Sequence, residues 1–311
     1  MKTYRNIEDY KCNEKPLVAI LGNFDGVHMG HRKLISVGKK IANDICGETM
    51  VFTFFPHPQF LFDNNFRLLN DFSLKRKILE KLGVDQLLAL PFTKEISKIT
   101  PQEFVDDVLA VNLCAKHIVV GFNFSFGYKG MGNPDLLSKL AEIKKIETTI
   151  IPPVYVDNEL VSSTRIRKHL KNGEIEKAAQ LLGYYPQLSG VVVSGHRIGS
   201  QLLGYPTANI SVDNSLLIPG EGVYSVKVFT EAGRKSGILN IGYKPTVSEE
   251  RELTVEVNIL DFSGDLYGKT LKIVFYKKLR LEKKFSGLNE LKKQLRIDEQ
   301  KTREYFAENL I

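Results

Sequence analysis

Tryptophan is absent from this chain of 311 residues, and cysteine occurs only three times, at Cys12, Cys46 and Cys114. The three are far apart and form no Cys-x-x-Cys pair, so neither a disulfide framework nor a zinc ribbon is indicated, and reduced thiols in a cytoplasm are expected. Long apolar runs are missing too. None approaches the roughly 20 residues that a membrane-spanning helix needs, and residues 1–6, Met-Lys-Thr-Tyr-Arg-Asn, lack the apolar core of an export signal. No membrane partner is expected. A basic block interleaved with aromatics is likewise missing: the net charge of +7 is carried by scattered lysines and short clusters such as Lys39-Lys40, Lys144-Lys145 and Lys277-Lys278. That pattern suits anionic small substrates better than nucleic acid. What remains is ordinary for a globular protein, with 43% apolar and 25% charged residues in a length that fits two domains.

Two grammars divide the chain. From residue 17 to about 183, apolar runs at 17–21, 50–55, 86–90, 117–121 and 148–152 alternate with helical patterns near 31–43, 73–82, 101–111 and 134–145, which implies βαβ crossovers and a mainly parallel sheet. Thr100-Pro101-Gln102-Glu103 reads as a capping box with proline at the first helical position, and Asn133-Pro134 opens the next helix in the same way. After Tyr184-Tyr185-Pro186 come short β-rich runs separated by glycine turns, at 188–194, 222–230, 235–241, 252–260 and 270–280, the spacing of an antiparallel barrel or sandwich. Helical periodicity returns at Leu288, Leu291 and Leu295. The expected domains are 1–185 and 186–311.

The most informative stretch is Gly22-Asn23-Phe24-Asp25-Gly26-Val27-His28-Met29-Gly30-His31, placed between the first buried strand and the first helix. A strand that ends in glycines and re-enters as a helix sets backbone N–H groups and the positive helix end where a polyphosphate can sit. His28 and His31, three apart, share one face of the first turn and can each donate to a phosphate oxygen. Asp25 can fix backbone amides in the turn. The same His-x-x-His could be half of a zinc site, but no third ligand stands at a companion spacing.

In an open α/β sheet the ligand lies beyond the carboxyl ends of the strands. Three further clusters fall there: Thr53-Phe54-Phe55-Pro56-His57-Pro58, Gly121-Phe122-Asn123-Phe124-Ser125-Phe126-Gly127, and Ser162-Ser163-Thr164-Arg165-Ile166-Arg167. Together with the 22–31 motif they resemble prokaryotic bifunctional riboflavin kinase/FAD synthetases, whose N-terminal half is a Rossmann-like nucleotidyltransferase of the HxGH superfamily. The resemblance implies that Gly22, Phe24, Asp25, Gly30, Ser163 and Thr164 bind ATP, that His28, His31 and Arg167 serve the transfer, and that Asn123 anchors the flavin while Phe126 offers a stacking face. Many relatives carry Asp where Asn123 stands. The implied reaction joins the FMN phosphate to the α-phosphorus of ATP, giving FAD and pyrophosphate.

In the second half, Gly195-His196-Arg197-Ile198-Gly199 and the residues after it lack the Gly-Lys-Ser/Thr ending of a Walker loop. Thr207 and Asn209, two apart on an extended segment, offer hard oxygens to one side, which suits Mg²⁺ and a phosphate. Gly204-Tyr205-Pro206-Thr207-Ala208-Asn209 is similar to the mark of riboflavin kinases, built on a small antiparallel barrel with a terminal helix. That resemblance implies phosphate contacts at Gly195 and Gly199, a flap around 240–246, a catalytic base at Glu256, and flavin contacts at Arg280 and Glu282. Relatives often have His where Asn258 stands. Riboflavin, FMN and ATP are thus the expected partners, Mg²⁺ the expected cofactor, and FMN and FAD the products.

Overall fold

A computed structural model describes residues 1–194, 207–231, 233–245 and 251–309 of the chain. It divides into two compact units, Met1–Ser163 and Thr164–Ile311.

The first unit is a six-stranded parallel sheet in the order β1-β4-β3-β2-β5-β6. Its strands are β1 (Lys2–Tyr4), β2 (Leu17–Leu21), β3 (Glu48–Phe54), β4 (Gln86–Leu90), β5 (Ala115–Gly121) and β6 (Glu147–Ile151). All five residues of β2 are buried, as a continuous apolar run in a sheet covered on both faces requires. The helices are α1 (Met29–Asp44), α2 (Phe72–Lys81), α3 (Pro101–Glu103) and α4 (Pro134–Ile143). At α3 the capping box is complete: Glu103 N–H donates to Thr100 Oγ1 at 3.2 Å and Thr100 N–H to Glu103 Oε2 at 2.8 Å. The turn then widens into a π-helix over Phe104–Asn112, closed by Leu113 N–H donating to Val108 O at 3.0 Å. Strand β1, unexpected from the sequence, adds an edge beside β4. β7 (Tyr155–Val156) and β8 (Glu159–Leu160) form a small hairpin whose turn residues, Asp157 and Asn158, both have positive φ, the primed turn that such residues favour.

Against the expectation of reduced thiols, Cys12 and Cys114 are joined in a disulfide, with a Cα–Cα distance of 6.0 Å across 102 positions. Topology is the reason. β2 pairs with β5 from Leu17↔Ala115 onward, so the chain just before each strand arrives at one end of the sheet. Cys46 is a free thiol.

In the second unit β9 (Gln187–Val193), β10 (Thr207–Val212), β11 (Gly222–Thr230), β12 (Gly233–Pro245), β13 (Arg251–Ile259) and β14 (Thr270–Arg280) close an antiparallel barrel in the order β10-β13-β12-β11-β14-β9. Closure leaves no unpaired edge. The compact unit begins before Pro186 because α5 (Ser163–Asn172) and α6 (Ile175–Leu182) are tied to barrel residues: Gly220 N–H donates to Leu170 O at 2.9 Å. The terminal helix α7 (Leu288–Glu308) buries Thr302, whose hydroxyl lies 2.9 Å from that of Ser225 on β11.

Candidate active sites

In the first unit the chain runs from β2 to β3 on one side and later returns to β5 on the other, so the crevice where the strand order reverses opens at the end of β2. The 22–31 loop leaves from that point. Phe24, Gly26 and Val27 all have positive φ, at 49°, 81° and 38°. Phe24 and Val27 are fully buried, and such backbone persists only where surroundings impose it. The restraints are visible. Thr53 Oγ1 and Lys75 Nζ donate to Asn23 O at 3.0 and 2.9 Å, Ser163 Oγ donates to Asp25 O at 3.0 Å, and Gly26 N–H donates to Asn70 Oδ1 at 3.3 Å. The buried Asp25 carboxylate accepts Leu69 N–H at 3.0 Å.

His28 caps α1, its Nδ1 accepting His31 N–H at 3.3 Å, which leaves the ring proton on Nε2. The His28 and His31 rings stack with centroids 3.7 Å apart at 16°, and Phe24 closes the far side of His31 at 4.9 Å. Gly30 permits this, since a Cβ there would stand 3.1 Å from His28 Cε1. Burial first, and then the neighbouring His28, Lys75 and His57, push the His31 imidazole well below its usual value, so it is neutral at physiological pH. Its Nδ1 is buried with no partner among the described residues.

Ser163, expected from the sequence to bind ATP, reaches the loop through Asp25 O. Thr164 and Arg167 lie three apart on the first turns of α5, in the other compact unit. Asn123 is exposed just beyond β5. Phe126 corrects the expectation of a stacking face. It is buried in the core, its ring against Phe104 and Phe124, because its backbone bridges to Gly132, where the missing side chain makes room for the ring. The exposed aromatic of that segment is Phe122. Sequence reasoning missed Lys75. Its signal was a lysine on the apolar face that α2 presents with Ile78 and Leu79.

The barrel assembles its residues by register. Asn209 on β10 lies opposite Glu256 on β13, and Glu256 opposite Asn240 on β12, which makes a polar row across three strands. Val255, Val257 and Ile259 turn to the other, buried face. Thr207 shares the Asn209 side of β10. The donor set of hydroxyl, amide oxygen and carboxylate is all hard oxygen and fits Mg²⁺. Asn240 Nδ2 donates to Glu282 Oε1 at 3.2 Å, and the Glu282 carboxylate packs so closely over Gly242 that a Cβ there would collide with it. Arg280 is held from behind: its Nε and Nη2 donate to Asp298 Oδ2 at 3.0 and 2.8 Å, a fork that α7 supplies from a fully buried carboxylate. Gly195 and Gly199 lie outside the described residues.

A family model described as FAD synthetase matches residues 10–165, and one described as riboflavin kinase matches residues 182–306. The bifunctional riboflavin kinase/FMN adenylyltransferase of Listeria monocytogenes is 41% identical over 293 residues, 93% of this chain and 92% of that protein. The chain belongs to the bifunctional riboflavin kinase/FMN adenylyltransferase family. A member from Escherichia coli K12 is 35% identical over 312 residues, 99% of this chain and 98% of that one. A solved structure from Streptococcus pneumoniae, called a macrolide-efflux protein, is 31% identical with a TM-score of 0.88, covering 97% of this chain and 98% of its own. The family's FAD synthetase half is thus N-terminal here and its riboflavin kinase half C-terminal. No helix among the described residues is long and apolar enough to cross a membrane.

Proposed function

We propose that this chain makes FAD from riboflavin in two steps, with residues 186–311 phosphorylating riboflavin to FMN and residues 1–185 transferring the adenylyl group of ATP to FMN. The observation that carries the second step is the strained loop at the sheet's reversal point, which ends in two stacked imidazoles at a helix N-terminus. An FMN phosphate oxygen attacks the α-phosphorus, the bond to the β-phosphate oxygen breaks, and pyrophosphate leaves. A phosphate monoester is an adequate nucleophile at neutral pH, so the protein's work is positioning and charge stabilisation. Ring N–H groups of His28 and His31 and the backbone N–H of Gly30 supply it in the first unit, Ser163 holds the loop through Asp25 O, and the roles of Thr164 and Arg167 rest on the family resemblance alone. A neutral His31 imidazole suits that task because it keeps a ring N–H donor at physiological pH. Asn123 anchors the flavin.

In the barrel, Glu256 takes the proton of the riboflavin 5′-hydroxyl as that oxygen attacks the γ-phosphorus of ATP and ADP leaves. Strand register places Glu256 in the row it shares with Asn209 and Asn240. Thr207 and Asn209 would hold Mg²⁺, which when bound neutralises phosphate charge. Glu282 and Arg280 border the flavin, Arg280 set in place by Asp298. We place the enzyme in the cytoplasm, in keeping with ATP as its substrate.

Incubation of the purified protein with riboflavin, ATP and Mg²⁺, with products resolved by chromatography, tests the reading. FMN followed by FAD is expected. FMN alone would remove the adenylyl-transfer step, and no conversion would remove both.

A further inference from the structure

Among the buried basic side chains that the roles above leave unassigned, Lys75 is the most deeply buried. Lys75 is only 3% exposed, and a lysine is almost never buried to that degree without a partner. Its Nζ donates at 2.9 Å to the Asn23 carbonyl, which also accepts from Thr53 at 3.0 Å. A trans peptide sets C=O and N–H in opposite directions, so this anchor aims the next N–H, that of Phe24, away from α2. Phe24 is where the backbone enters its positive-φ turn. Asp25 on the loop acts on this ammonium, and the ammonium acts on His31 at the start of α1, a ring that His28 and His57 also influence.

We propose that Lys75 is a positioning residue for adenylyl transfer: its ammonium ties Asn23 to α2, holds the 24–27 turn in its left-handed form, and places a fixed positive charge behind the histidine pair. The proposal rests on the adenylyl-transfer reading of this site. Burial lowers the amine to about 8, with Asp25 opposing the shift. Lys75 is therefore charged at neutral pH and loses its charge within the accessible alkaline range. The charge that develops as pyrophosphate leaves gains from a cation that is already in place and needs no reorganisation.

Lys75→Met keeps the apolar stem and removes both donor and charge. The kcat for FAD formation from FMN and ATP should fall by about 10- to 100-fold, the cost of a small displacement in a positioned site, with KM for ATP little changed and riboflavin phosphorylation retained. The wild-type profile should show an alkaline limb near 8. Lys75→Arg, which keeps a charge that does not titrate there, should remain active and lose that limb. In NMR titrations of Lys75→Met, the His31 ring should move upward toward its ordinary value, since the lysine charge is one of the causes that depress it. A limb that survives in Lys75→Arg, or a His31 titration unmoved in Lys75→Met, overturns the proposal. Wild-type protein that makes no FAD at all would instead refute the adenylyl-transfer reading, and the His31 titration would still decide Lys75.

Discussion

The two units build their sites by opposite means. In the parallel-sheet unit the site is one continuous loop, strained at Phe24 and Val27 and pinned from outside by Thr53, Asn70, Lys75 and Ser163. In the barrel it is a row, Asn209, Glu256 and Asn240, whose members lie far apart in sequence and meet only through strand register. On the proposed reading, the first arrangement offers backbone N–H groups and imidazole donors to a phosphate whose nucleophile needs no activation. The second would offer a carboxylate to an alcohol, which does. On that reading the difference in architecture follows the difference in nucleophile.

Glu256→Ala should sharpen that contrast most. Riboflavin phosphorylation should fall by about 10²–10⁴-fold, the worth of a general base, while FAD formation from supplied FMN continues. His31→Ala should do the reverse, lowering FAD formation by about 10²–10³-fold as loss of one preorganised donor does; steady-state rates on FMN and on riboflavin separate the two. Asp298→Ala leaves the Arg280 guanidinium half-buried and unpaired and should destabilise the barrel by about 3 kcal/mol, measured as a lower barrel transition in denaturant without loss of the first unit. His31 also breaks the symmetry in acid. The unfolded chain takes up a proton near 6.5 that the folded unit refuses, so the stability of the first unit, present above that pH, falls as pH drops below it, by at most about 1.4 kcal/mol per unit. His31→Gln should flatten that slope in pH-dependent melting. Thr100→Ala, which removes the capping box at α3, should cost about 1 kcal/mol in the first unit alone.

Legibility in the sequence followed the same divide. The run at β2, the glycine-rich turn after it and the helix that follows are local signals, and each was readable where it stood. Five of the six barrel strands were readable as short β-rich runs between glycine turns, but pairing Glu256 with Asn209 required register, which no local pattern contains. Residues that act from another element were hidden for the same reason. Lys75 looks like one more lysine of a basic chain until α2 turns it inward, and Asp298 like one acid in a charged helix until α7 brings it under Arg280. Cys12 and Cys114 are joined by strand order rather than spacing. Phe126 misled because an aromatic beside glycines reads equally as a platform or as core, and only Gly132 across the bridge decides for core.

Mixing the two defective proteins tests the central claim, that the two chemistries run at separate sites, most directly. Glu256→Ala alone and His31→Ala alone should each fail to convert riboflavin to FAD at the wild-type rate, the second accumulating FMN. An equal mixture given riboflavin, ATP and Mg²⁺ should make FAD, as FMN released by one protein is adenylylated by the other. If the mixture makes no FAD while each protein still performs its remaining step, the two sites are not independent and the account is wrong.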